Sequence, residues 1–121
     1  MSDLFFWSML AIFFTHELDA VRRHEWRVLP GLRALPEAIG AHLFVWLHVP
    51  LFLGVFWLTR AGADAPFAQA LSGFAIVHVY LHWIFRHHPA NEFNNLGSWG
   101  LISGAGTFGA LHLGLEWTAL L

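Results

Sequence analysis

Residues 4–27 read LFFWSMLAIFFTHELDAVRRHEWR, an apolar run that passes directly into a charged one. The last thirteen of these residues include eight ionisable side chains, although only 12% of the whole chain is charged. Taken as Leu4 to Val21, the apolar part covers about 27 Å as a helix, close to the ~30 Å hydrocarbon thickness of a bilayer. The stretch therefore predicts a transmembrane helix that ends in a cluster of charge at one membrane boundary.

The composition also indicates a membrane protein. Hydrophobic residues make up 57% of the 121 residues and aromatic residues 17%, well above the usual share for a soluble domain. Cysteine is absent, which excludes disulfides, thiolate metal ligands and a cysteine nucleophile. All six basic residues are arginine and the net charge is only -2, so no nucleic-acid partner is indicated. The nine histidines are unusual, because histidine is the commonest metal ligand.

Three further apolar segments predict an all-α fold, a four-helix transmembrane bundle. The predicted spans are residues 4–21, 39–58, 66–85 and 96–117. Four arginines lie between the first and second spans, and one lies in each of the two later connectors. The positive-inside rule then places the first and third connectors in the cytoplasm and both termini on the extracytoplasmic side. The chain is thus expected to be a single integral membrane domain, multi-pass, in a bacterial inner membrane.

Two pairs of side chains predict a metal site near the cytoplasmic end of the bundle. His78 and His82 are four residues apart, so both imidazoles lie on one helix face and can reach one ion. His16 and Asp19, three residues apart on the first span, form a similar pair of histidine and carboxylate. Ionisable groups inside a membrane cost about 2.5 to 3.5 kcal/mol each near its centre, which favours a shared zinc or iron site. Each histidine could instead hydrogen-bond a backbone carbonyl.

Two residues beside these pairs are further candidates. If residues 4–27 form one helix, Glu17 lies about 100° round from His16 and shares a stripe with His24. Glu17 is expected either to act as a catalytic base on metal-bound water or to form a salt bridge with an arginine of the first connector. His48, on the second span, is a candidate cofactor ligand, with haem as the alternative to a metal ion.

Several motifs together resemble a family of small, four-span bacterial membrane proteins that has no assigned function. The resemblance runs through most of the chain, at THELDA (15–20), HEWR (24–27), HVPL (48–51), His78 to His82, His88-Pro89 and Glu92-Phe93. It implies an integral membrane protein and favours these positions as functional, but it supplies no reaction. Residues 16–20 are also similar to the HXXEE domain proteins, which implies a membrane metalloenzyme. Here Asp19 takes the first carboxylate place, and the second carboxylate is missing.

These observations support three functional hypotheses. The first is a metal-dependent membrane enzyme that acts on a lipid or lipophilic small molecule at the cytoplasmic interface, with hydrolysis favoured over oxidation. The second is an accessory subunit of a larger membrane complex that binds haem or a pigment through histidine. The third is a carrier of protons or metal ions. In each case the glycine-rich fourth span favours close helix packing and could join a second copy or another membrane protein.

Overall fold

Four long helices account for most of the chain. The computed structural model describes residues 1–119 and 121. The helices are α1 (Ser2–Arg22), α2 (Glu37–Thr59), α3 (Pro66–Phe85) and α4 (Leu96–Ala119). Two short 3₁₀ turns, Glu25–Arg27 and Leu32–Ala34, lie in the connector between α1 and α2. The all-helical class is thus confirmed, and each helix extends its predicted span by no more than two residues at either end.

Three of the described helices, α1, α2 and α3, are long and apolar enough to cross a membrane. α4 has 24 residues but is not among them, because glycine and polar residues interrupt its apolar sequence. The lengths and composition of the first three helices agree with a membrane protein. The crossing by α4 and the side on which the termini lie remain predictions.

α4 is the central helix, packed against α1 and against α3. A Cβ atom added at Gly104 would lie 3.5 Å from the Ile12 side chain of α1. One added at Gly109 would lie only 2.7 Å from the carbonyl oxygen of Ser72 in α3. Small residues let helix backbones approach closely in lipid, where no hydrophobic force drives helices together. These two glycines of α4 therefore serve contacts within the chain.

Alanine at Gly109 is expected to destabilise the fold. Its methyl group would meet a backbone carbonyl 2.7 Å away, so α3 and α4 would have to move apart, and such overpacking costs about 1 to 3 kcal/mol. We expect the upper half of that range, since backbone yields less than a side chain, and this exceeds the ~1 kcal/mol that alanine gains in helix propensity. In the control Gly114→Ala, the new methyl group has no described atom within 4 Å. Thermal unfolding with equal midpoints for the two variants would contradict the α3–α4 packing.

α2 is the least enclosed helix. Four of its 23 residues are buried, and Phe14 is one of the α1 residues that contact it. The Phe14 ring lies 4.6 Å from the ring of Phe52 and 5.3 Å from that of Phe56. Most of the apolar surface of α2 therefore faces outward, as expected for a helix surrounded by lipid.

α1 ends at Arg22, five residues before the end of the charged stretch. His24 then adopts a left-handed backbone conformation, with φ 52° and ψ 42°, which is uncommon for a residue other than glycine. This turn sends the chain back across the ends of the helices. The helix thus ends one residue after the predicted span 4–21, and the condition under which Glu17 and His24 would share a stripe, one helix over residues 4–27, is not met.

Ion pairs hold the connector in place. Glu92, in the loop between α3 and α4, lies 3.0 Å from Nδ1 of His24 and 3.2 Å from the Arg27 guanidinium. The same guanidinium lies 2.8 Å from Glu37 at the start of α2. The connector is thus tied to the loop between α3 and α4 and to the start of α2. Its first 3₁₀ turn therefore has a defined position over the helix ends.

Candidate metal centre

Three histidine side chains meet between α1 and α3. His16 comes from α1, and His78 and His82 come from successive turns of α3. The Nε2 atom of His78 lies 2.9 Å from that of His16 and 3.1 Å from that of His82. His16 is fully buried, His82 is buried and His78 is half-buried. Because one nitrogen from each ring lies within 4.8 Å of the other two, the three residues could hold one metal ion.

Hydrogen bonds between the three rings satisfy their Nε2 atoms poorly. The Nε2 atom of a neutral imidazole is either a donor or an acceptor. The Nε2 atom of His78 faces two other Nε2 atoms, so it must share a single proton or a single lone pair between them. A metal ion would instead receive one lone pair from each ring. Nitrogens in a tetrahedral zinc site are about 3.3 Å apart, given bonds of about 2.0 to 2.1 Å, which is close to the distances between these rings.

Aromatic rings enclose the three histidines. Phe93, from the loop after α3, lies 5.5 Å from the His16 ring and 4.6 Å from the His82 ring. Phe13 lies 5.1 Å from the His78 ring, and both phenylalanines are buried. Among the described residues, the buried Nδ1 atom of His16 has no hydrogen-bond partner. Packing, rather than a second hydrogen bond, therefore fixes the orientation of the His16 ring.

A buried carboxylate that the sequence analysis does not identify lies beside this cluster. Glu25 follows the left-handed His24, and its Oε1 atom is 3.6 Å from Nε2 of His82. The Glu25 side chain is only 13% exposed. Burial and the negative charge of Glu17 raise the pKa of Glu25 to about 8. A cation held by the histidines would attract this carboxylate and stabilise its charged form.

Asp19, predicted as a fourth metal ligand, is not part of the cluster. Its carboxylate accepts a hydrogen bond from the Ser98 hydroxyl and lies 3.3 Å from Nε of Arg23. Ser98 is in the first turn of α4, where its backbone N–H donates to the Asn95 side chain at 2.9 Å. A carboxylate is stabilised near a helix N-terminus, so Asp19 ties the end of α1 to the start of α4. The structure thus brings together three of the four predicted ligands.

Glu17 and His48, the other two predicted functional residues, contact each other. The Oε2 atom of Glu17 is 2.9 Å from Nε2 of His48, and Nδ1 of His48 is 2.7 Å from the carbonyl oxygen of Phe44. Because a carbonyl only accepts, Nδ1 must donate, and the Glu17–His48 contact then holds one further proton. Both ring nitrogens of His48 are engaged. In the described part of the chain, Glu17 faces α2 and bonds neither the three histidines nor a connector arginine.

An apolar cavity of about 220 Å³ reaches the cluster. His78, His82 and Glu25 form its polar end, and Asn91 is the remaining polar residue of the lining. Seven apolar residues from α3, the connector and the loop after α3 complete the wall. An apolar cavity of ~150 Å³ in another protein binds benzene. This cavity therefore has room for a ring-sized or short-chain group whose polar atom lies next to the histidines.

Comparison with known proteins yields a family match. A family model described as "Family of unknown function (DUF6713)" matches residues 2–119. No curated protein and no solved structure matches the chain significantly. The match agrees with the expected resemblance to a family without an assigned function. It carries no information on the motifs, the membrane or the reaction.

Proposed function

We propose that this chain, which belongs to the family of unknown function DUF6713, is a membrane metalloenzyme that acts on a lipophilic substrate. Zinc or iron would be held by His16, His78 and His82. The observation that carries the proposal is that three imidazole nitrogens converge beside an apolar cavity. Catalytic zinc sites typically have three protein ligands and one open position, whereas structural sites have four protein ligands.

Hydrolysis is the reaction that these surroundings favour. A zinc ion lowers the pKa of bound water to about 7 and so supplies a nucleophile at neutral pH. Glu25 lies at the polar end of the cavity beside His82, where it would accept the proton of that water and pass it to the leaving group. We assign this role to Glu25 instead of Glu17, because Glu17 is already paired with His48. Oxidation would require iron, so a protein that holds only zinc would exclude oxidation.

Metal analysis of the protein purified from membranes tests the proposal. We expect one zinc or iron ion per chain after dialysis. Hydrolysis of a lipophilic ester should stop when a chelator removes the metal and return when zinc is added. A protein that binds no metal in the presence of excess zinc or iron would refute the proposal, and a metal-loaded protein that lacks hydrolytic and oxidative activity would refute the enzymatic part.

A carrier of protons or metal ions is the second candidate, and one observation favours it. Side-chain contacts run without a break from His16 through His78 and His82 to Glu25, an arrangement that could pass a proton. A carrier would move protons or zinc across a vesicle membrane without hydrolysing the ester. Haem binding through His48 is less favoured, because it would break the bonds that engage both ring nitrogens.

A further inference from the structure

We infer that the cavity is entered sideways, from the bilayer, and that it takes the reactive segment of an uncharged, membrane-resident amphiphile. An alcohol, an ester or an amide with a long chain would meet this description. The inference rests on the proposed function for the chemistry at the histidines. The entry route depends only on where the cavity lies.

One side of α3 forms the mouth of the cavity. Phe74, His78, Leu81 and Phe85 all line it, and their spacing of three and four residues places them on one stripe of the helix. Phe74 is 45% exposed, Leu81 39% and Phe85 36%. Apolar side chains exposed along the side of a membrane-spanning helix face lipid. The cavity therefore opens toward the bilayer along α3.

The mouth also matches the depth of a lipid in one leaflet. Phe85 is the last residue of α3, and Phe74 lies eleven residues earlier, about 16 Å away along the helix axis. This is roughly half of the ~30 Å hydrocarbon thickness. An amphiphile in the leaflet keeps its polar group at the interface and its chain toward the middle of the bilayer. Its chain and the mouth of the cavity would thus run alongside each other.

The volume of the cavity limits what can enter. About 220 Å³ is only moderately larger than the ~150 Å³ cavity that holds benzene, so a complete long-chain lipid does not fit. The part of the amphiphile next to its polar group would enter, and the rest of its chain would remain in the bilayer. The half-buried Leu29 and the buried Val28 form the connector side of this space.

The charges at the cavity favour an uncharged polar group. None of the described residues that line it is an arginine. The two arginines closest to Glu25 in sequence are paired elsewhere, Arg23 with Asp19 and Arg27 with Glu37 and Glu92. An anionic group would therefore lose its hydration in an apolar cavity without a guanidinium to pair with it. The oxygen of an alcohol, ester or amide could approach the histidines without this cost.

Photolabelling in phosphatidylcholine vesicles tests the inference. The probe is hexadecanol with a diazirine near its hydroxyl end, and the matching hexadecanoic acid is the charged comparison. Val28 is 7% exposed and Phe93 is 2% exposed, so only a molecule inside the cavity can label them. We expect the alcohol to label peptides that contain these residues, and the acid to label them less once a chelator has removed the metal.

Variants at the mouth supply the control. Leu81→Trp should fill the mouth and remove labelling of Val28 and Phe93, and Leu29→Trp should do the same from the connector side if the first variant does not fold. Ile84→Trp, on α3 but outside the cavity lining and 48% exposed, should label as the wild type does. Labelling that survives in the folded mouth variants would overturn the proposed entry route. Equal labelling by the acid would overturn the inference that the polar group is uncharged.

Metal content, measured on the same samples, separates this inference from the proposed function. Leu81→Trp and Ile84→Trp should both retain the wild-type metal content. A protein that binds metal but is not labelled inside the cavity would refute the entry route alone. A protein that is labelled but binds no metal would refute the metalloenzyme and leave the cavity as a lipid-binding site.

Discussion

Replacement of both His78 and His82 by alanine is expected to abolish metal binding. The change removes two of the three nitrogens that converge on one point and leaves a single imidazole on α1. Zinc binds four-ligand structural sites with about 10 to 16 kcal/mol, or roughly 2.5 to 4 kcal/mol per ligand. The loss of two ligands should therefore raise the Kd by about 10⁴-fold or more. Elemental analysis after dialysis and titration with zinc measure the effect.

The matched control also removes two histidines but leaves the cluster intact. His42 and His87 are exposed and lie outside the group of three, so His42→Ala combined with His87→Ala should bind zinc as the wild type does. Circular dichroism should show unchanged helix content in both double variants. If the two double variants lost the same amount of metal, binding would be a property of scattered histidines, and the proposed site would be refuted.

The helices can be predicted well from the sequence, because each depends on a long apolar run with a clear stop. Pro66, tolerated in the first turn of a helix, marks the start of α3 in both the prediction and the structure. The pairing of His78 with His82 is equally local, since spacing by four residues places both on one face. His16 could be joined to this pair because groups that are costly in a membrane tend to share one interior site.

The contacts of the Asp19 carboxylate depend on tertiary structure and could not be predicted from residue spacing. His16 and Asp19 are three residues apart and occupy nearby positions on α1. The start of α4 packs beside this turn and offers Ser98 to the carboxylate. Nothing in the sequence around Asp19 indicates which helix N-terminus will lie beside it, so the metal role and the structural role cannot be separated from the sequence.

The position of Glu25 beside the histidines could not be predicted for a different reason. The predicted span ends at residue 21, which places Glu25 in the connector, past the membrane boundary and away from the histidines. The structure ends α1 at Arg22 and reverses the chain at His24, whose backbone is left-handed. Neither glycine nor asparagine, the residues that usually mark such a turn, stands at that position. A local signal for the reversal is therefore missing, and the contact between Glu25 and His82 appears only in the folded chain.

Glutamine at Glu25 is expected to leave the metal in place and remove most of the hydrolytic activity. The amide has nearly the shape of the carboxylate but cannot accept a proton from metal-bound water. Loss of a positioned base typically lowers the rate by about 10²- to 10⁴-fold. Because Glu25 lies beside His82 rather than among the three converging nitrogens, the metal content should remain that of the wild type. Turnover of the lipophilic ester is measured with the variant fully loaded with zinc.

Glu17→Gln is the decisive comparison, because Glu17 is the candidate base that the sequence favours. Its carboxylate bonds His48 on the α2 side, so this variant should keep most of its turnover, apart from any loss through a weakened α1–α2 contact. The reverse result, with activity lost in Glu17→Gln and kept in Glu25→Gln, would return the role to Glu17. Loss of metal from Glu25→Gln would instead make Glu25 a ligand of the ion. Since each outcome assigns the proton transfer or the coordination differently, the pair of variants decides which carboxylate serves the metal centre.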